Sequence, residues 1–207
     1  MNTLEAFHFW AWFGENHAAF RQINLLDDEE KDSLFEKLHF RLHKYCKGLD
    51  AEFMRLDADE KILIITANGY EQYFKAAEDL VLMAPKLSGW IMLALEPAVW
   101  EYPIIFDWKG KEVRSDGLWF SVFDNEDQPN KLDIAVYFRE FDEANPDWYY
   151  EAAERMLQTM LGERSCALDI ACMCVEALPQ EPDGMSILDL EHLTSYIEFW
   201  KSQILLN

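Results

Sequence analysis

A chain of 207 residues with 18 Lys and Arg against 39 Asp and Glu carries a formal net charge of −21 at pH 7. Nucleic acid is held by Lys and Arg that displace its counterions, and an anionic membrane surface by the same residues; with no Lys/Arg cluster along the sequence, neither is expected as a partner. Half the residues are hydrophobic and 14% are aromatic, a composition that folds around a core rather than staying disordered.

The stretch FHFWAWFGENHAAF (7–20) reads as a helix. At 100° per residue Phe9, Trp12, Phe13, Phe20 and Ile23 fall on one side, and Phe7 and Trp10 project away from it. Glu15, Asn16 and His17 interrupt the apolar run, which rules out a membrane-spanning helix, and no other run reaches the length of about 18 residues that a span needs. Asp27 and Asp28 open a second helix with an acidic first turn; Leu34, Leu38, Leu42 and Tyr45 form its buried stripe, and Gly48 ends it. The period then changes to two. AEFMRL (51–56) and KILIITA (61–67) read as strands around a turn at 57–60, and KILIITA, apolar on both faces, is expected at the centre of a sheet. Asn68-Gly69 stops it, a helix over 70–84 follows up to Pro85, and GWIMLAL (89–95) is a further strand.

After an irregular piece around Pro97 and Pro103, strands are expected at 104–108, 118–123 and 132–138, then a helix over 147–161 stopped by Gly162, a strand over 168–178 and a last helix over 189–206. Both halves read strand–strand–helix–strand. The expectation is a single α+β domain over 1–207, with a mixed sheet from two such halves and an internal duplication of 51–95 and 104–178. Two N-terminal helices and a C-terminal helix pack on that sheet. The last helix carries Tyr196, Phe199 and Trp200 beside its stripe, so the surplus rings of the terminal helices are expected to cover one another, or else Phe7, Trp10, Phe199 and Trp200 to serve a homo-oligomer interface.

Chemistry-bearing patterns are sparse. His39, His43 and Cys46 stand at i, i+4 and i+7, but the zinc-protease pattern requires Glu directly after the first histidine and this chain has Phe40; the three are read as flanking the buried stripe, with no metal. Cys172 and Cys174 share one face of a strand and are expected to act as buried small hydrophobes. The four cysteines lack the density of a disulfide scaffold and MNTLEAFHFW lacks the basic start of a secretory signal, so a soluble, reduced, cytoplasmic protein is expected. No nucleophile elbow or catalytic triad can be selected, so no catalytic residue and no cofactor is assigned. Acidic residues concentrate in connections, notably Asp57 and Glu60 in one turn and Asp124, Glu126 and Asp127 in another, and these are the candidate contacts for a basic protein partner. The alternative is a small-ligand or enzyme site near the end of the central sheet at Asn68, Gly69 and Glu163.

FWAWFGEN, ILIITANG, Ala84-Pro85 followed by SGW, LGER and DLEHLTSYIEFWK, in this order, resemble an uncharacterised bacterial family of small α+β proteins. Trp12, Gly69, Pro85, Trp90, Gly162 and Glu163 carry that resemblance, which implies a fold class and no activity. By type alone, a small acidic chain without catalytic motifs is similar to immunity proteins, which bind and block a cognate toxin. The expected function is therefore non-catalytic binding of a basic protein partner through an acidic surface.

Overall fold

The computed structural model describes residues 2–55, 60–180 and 186–204. The protein is α+β, and it divides into two compact units, Met1–Glu96 and Pro97–Asn207, each with its own mixed sheet.

In the first unit α1 (Thr3–Arg21) and α2 (Asp28–Tyr45) precede β1 (Asp50–Arg55), β2 (Lys61–Thr66), α3 (Phe74–Leu82) and β3 (Trp90–Ala94). Asp27 caps α2 in a reciprocal pair with Glu30, each side chain accepting from the other's backbone N–H at 2.8 and 3.1 Å. The sheet order is β1-β2-β3, antiparallel then parallel, so β2 is central as its apolar run requires. α1 lays a file of rings on this sheet: Phe13 stacks on Phe20 at 5.6 Å, Phe20 on Phe53 of β1 at 4.8 Å, and Phe13 meets Trp90 of β3 edge-on at 5.1 Å.

The buried arc of α1 differs from the expected one at a decisive residue. Ala6, Phe9, Trp10 and Phe13, spaced i, i+3, i+4 and i+7, are buried together with Phe20 one further heptad on, and Trp12 is only half-buried at the edge. Trp10, expected to be left over, finds its cover inside its own unit, where its indole N–H donates at 2.7 Å to the Leu80 carbonyl in the last turn of α3. The same carbonyl also accepts from the Met83 N–H at 3.1 Å, so the indole adds a second donor at the end of α3. A Trp10 buried in this way is not available to an interface. Phe7 remains 64% exposed.

The second unit opens with a hairpin, β4 (Ile105–Trp108) and β5 (Lys111–Arg114), turned by Lys109 and Gly110 at φ 50° and 83°. Then come β6 (Leu118–Asp124), β7 (Leu132–Phe138), α4 (Pro146–Asp169), β8 (Ile170–Ala177), the short β9 (Leu188–Asp189) and α5 (Leu193–Ile204). The sheet order is β8-β7-β6-β9, with β6 and β7 antiparallel and β7 and β8 parallel. Antiparallel hairpin, helix, parallel strand is thus the sequence of pairings in both units. Its core joins Phe120, Ile134 and Val136 of the sheet to Met156 and Leu157 of α4 and Leu193 and Ile197 of α5. α4 runs longer than the sequence suggests: Gly162 breaks its geometry at φ 72°, ψ 161°, yet a further helical segment continues to Asp169 before β8 begins.

Candidate functional site

The sequence-predicted residues are distributed as follows. Asp57 lies outside the described residues, and Glu60 is exposed just before β2. Asp124 ends β6, with Glu126 and Asp127 exposed in the turn that follows. That turn is tied by Asn125, whose amide donates to Asp133 at 2.9 Å and whose carbonyl oxygen accepts from the Gln128 N–H at 2.7 Å. Phe123 beside it is 53% exposed. In the first unit Asn68 and Gly69 form an exposed turn with φ 51° and 76°. They do not open α3 directly, because a short 3-10 turn over Glu71–Tyr73 intervenes. Glu163 belongs to the second unit and is 1% exposed, directly after the break at Gly162.

His39 and His43 have structural partners. His39 Nε2 lies 2.8 Å from an Asp50 carboxylate oxygen, and His43 Nε2 lies 3.1 Å from the Leu49 carbonyl, so both imidazoles hold the start of β1 against α2. Cys172 and Cys174 differ from expectation: β8 is an edge strand, and both thiols are exposed on it while Met173 and Val175 point to the core. The alternation within CMCV sets this arrangement, since residues i and i+2 share a face and only one face of β8 is covered. Cys166, like Cys46, is half-buried; burial, reinforced by Glu154 and Asp169, pushes Cys166 up to about 11, while burial and then the Glu176, Cys172 and Asp133 charges also raise Cys174 above its ordinary value. At pH 8 only about one Cys166 thiol in a thousand would be ionised. Maleimide labelling read by peptide mass spectrometry is therefore expected to modify Cys172 and Cys174 well before Cys166. Equal rates at the three sites would contradict the placement of β8.

Two surfaces of the second unit combine charge with aromatic rings. The first is an acidic cleft of about 430 Å³ between segment 99–104 and the start of α5. The Val99 N–H donates to the Thr159 carbonyl at 2.8 Å, which fastens the segment to α4 and leaves Trp100 77% exposed. Glu101, Glu191 and Glu198 line the cleft together with Tyr102 and His192. Burial pushes the Tyr102 phenol above its ordinary value, a hydrogen bond with Ser115 opposes this, and the carboxylates of Glu191, Asp116 and Asp189 add to the rise. The negative field is thus felt at the ring itself. Asp189, Glu191 and His192 are exposed, with ligand atoms within 4.8 Å of one another, the closest approach to a metal-ligand set among the described residues.

Asp189 pairs with Trp119 near the start of β6. From there to Asp124 is five steps along the strand, roughly 17 Å at about 3.3 Å each. The cleft and the predicted acidic turn therefore lie toward opposite ends of β6. The sequence signal for the cleft was an exposed-type Trp and Tyr set among Glu and Pro in PAVWEYP, a stretch that periodicity reads only as irregular.

The second surface is a cavity of about 590 Å³ beside the N-terminus of α4. Lys111 and Arg114 of β5 and Arg139, one residue past β7, line it with the rings of Trp148, Tyr149 and Phe138; Glu112 and Glu140 also line it. Two contacts hold the β4–β5 hairpin over α4: the Trp148 indole N–H donates to the Trp108 carbonyl at 3.2 Å, and Lys109 pairs with Glu151. No family, curated protein or solved structure matches this chain.

Proposed function

We propose that the protein is a non-catalytic binding protein whose acidic surface engages a basic protein partner, an immunity protein that neutralises a toxin being one form of this function. The observation that carries the reading is the exposed Trp100 indole beside Glu101, Glu191 and Glu198 in one cleft. A Lys or Arg side chain of a partner is attracted by the face of an indole, and carboxylates around it compensate the charge. The net charge of −21 raises the encounter rate with a basic molecule over a longer range. The exposed turn with Glu126, Asp127 and Phe123 extends the acidic surface along β6 and contributes to steering.

The test separates a built site from bulk charge. Hexa-arginine peptide is titrated into the protein, into a variant with Glu101, Glu191 and Glu198 changed to Gln, and into a control with Glu29, Asp32 and Glu36 of α2 changed to Gln, Asn and Gln. All six side chains are on the protein surface or in an open cleft, so each variant is expected to fold. The cleft variant should lose at least tenfold in affinity at 150 mM salt while the control, with the same charge change, loses less than threefold. Equal losses would reduce the acidity to solubility and end the partner reading of this cleft.

A further inference from the structure

We propose that the cavity beside the α4 N-terminus is a binding site for a small organic oxyanion with a flat apolar body, distinct from the acidic cleft and independent of any protein partner. In a protein of net charge −21 this cavity gathers three cations, Lys111, Arg114 and Arg139, against two lining carboxylates, Glu112 and Glu140. Arg114 is already engaged, its guanidinium bonded to both Asp116 carboxylate oxygens at 3.0 and 2.9 Å. Lys111 and Arg139 make no ion pair with a described residue. Each is instead held over an indole, Lys111 Nζ at 4.9 Å from the Trp148 ring and Arg139 Cζ at 5.1 Å from the Trp119 ring. The cation–π contact positions the charge without neutralising it; Trp148 itself lines the cavity, so Lys111 is held there with unmet anion-binding capacity, while Arg139 lines the cavity with its guanidinium over Trp119, outside the lining.

The backbone adds to this. β7 and β8 are the parallel pair of the sheet, and the cavity sits at the carboxyl end of β7 where the chain turns into α4, the place where open α/β crossovers bind ligands. α4 starts at Pro146 with no side-chain cap from Asn145, so its first-turn N–H groups are uncapped by a side chain, although the acidic Asp147 stands in that turn. Trp148, Tyr149 and Phe138 supply an apolar wall for a planar body, and about 590 Å³ is within the range of small-molecule sites.

Phenyl phosphate and benzoate, titrated separately, distinguish a phosphate from a carboxylate head, and benzyl alcohol is the neutral control. The readout is the indole N–H resonance of Trp148 in a two-dimensional NMR spectrum, assigned with Trp148→Phe. At least one anion is expected to shift that resonance saturably, benzyl alcohol is not, and Lys111→Gln with Arg139→Gln should weaken the anion at least tenfold. Both cations are exposed, and the remaining seven indole resonances report whether the double variant keeps its fold. No saturable shift with either anion, or undiminished binding in the folded double variant, overturns the site. Loss of hexa-arginine binding by the cleft variant has no bearing on this result, so the two proposals fail separately.

Discussion

Alanine at position 162 is expected to destabilise the second unit by about 1–3 kcal/mol, the cost of holding a residue with a Cβ in a backbone region open essentially to glycine alone. Gly162 sits at φ 72°, ψ 161° inside α4 and is buried. Its conformation ends the helical run from Pro146 and lets a second run begin at Glu163, whose side chain goes into the protein at 1% exposure. An alanine there must either keep the strained dihedrals or straighten the helix, and a straightened helix would redirect the segment to Asp169. That carboxylate accepts from the Ser165 hydroxyl and lies 2.5 Å from Lys201 Nζ, so the junction of α4, β8 and α5 depends on it. Gly14→Ala is the control. Gly14 lies within α1, a Cβ there meets nothing within 4 Å, and its φ is not positive. Alanine at that position should be neutral or stabilising by up to about 1 kcal/mol through helix propensity. Urea unfolding of the three proteins checks the pair; an unchanged midpoint for Gly162→Ala would show that the break in α4 needs no glycine.

Elements whose burial is one-sided or complete were legible from the chain. The strand over 132–138 matches β7 to the residue, because LDIAVYF is long, branched and closed by polar turns on both sides. The capping pair at Asp27 and Glu30 was visible as an acidic first turn before a 3.6-period stripe. What failed did so for identifiable reasons. KEVR is too short and polar to show as a strand, and the Lys109-Gly110 turn that makes it one uses positive φ at a lysine, which no composition rule flags. With β5 unseen, the cationic cavity was invisible too, since Lys111 and Arg114 stand 25 to 28 residues from Arg139 in sequence and only the hairpin brings them to one rim. Trp10 is buried although the 100° pattern places it off the stripe, because the crowded aromatic residues of FHFWAWF are compatible with two overlapping stripes. The exposed thiols on β8 were missed because alternation says which residues share a face but not which face is covered.

Alanine at position 48 should cost about 1–3 kcal/mol in the first unit for a different reason, overpacking rather than backbone strain. Gly48 is not in a positive-φ conformation. A Cβ built on it would fall 2.1, 2.3 and 2.4 Å from Cε2, Cδ2 and Cζ of Tyr73, well inside contact distance. Gly48 follows α2 and precedes Leu49, which is 1% exposed and whose carbonyl lies 3.1 Å from His43 Nε2, so the backbone on this side has little room to retreat. The ring must move instead. Tyr73 ends the 3-10 turn Glu71–Tyr73, is bonded through its N–H to the Tyr70 carbonyl at 2.9 Å, and leads straight into α3. Displacing it disturbs the connection that begins at Asn68 and Gly69. A double-mutant cycle isolates the cause. Tyr73→Ala alone loses its own packing, but in that background Gly48→Ala should cost less than about 0.5 kcal/mol, because the atoms it strikes are gone. A penalty for Gly48→Ala that persists unchanged beside Tyr73→Ala would place its origin in the backbone of the α2–β1 connection and not in the Tyr73 ring.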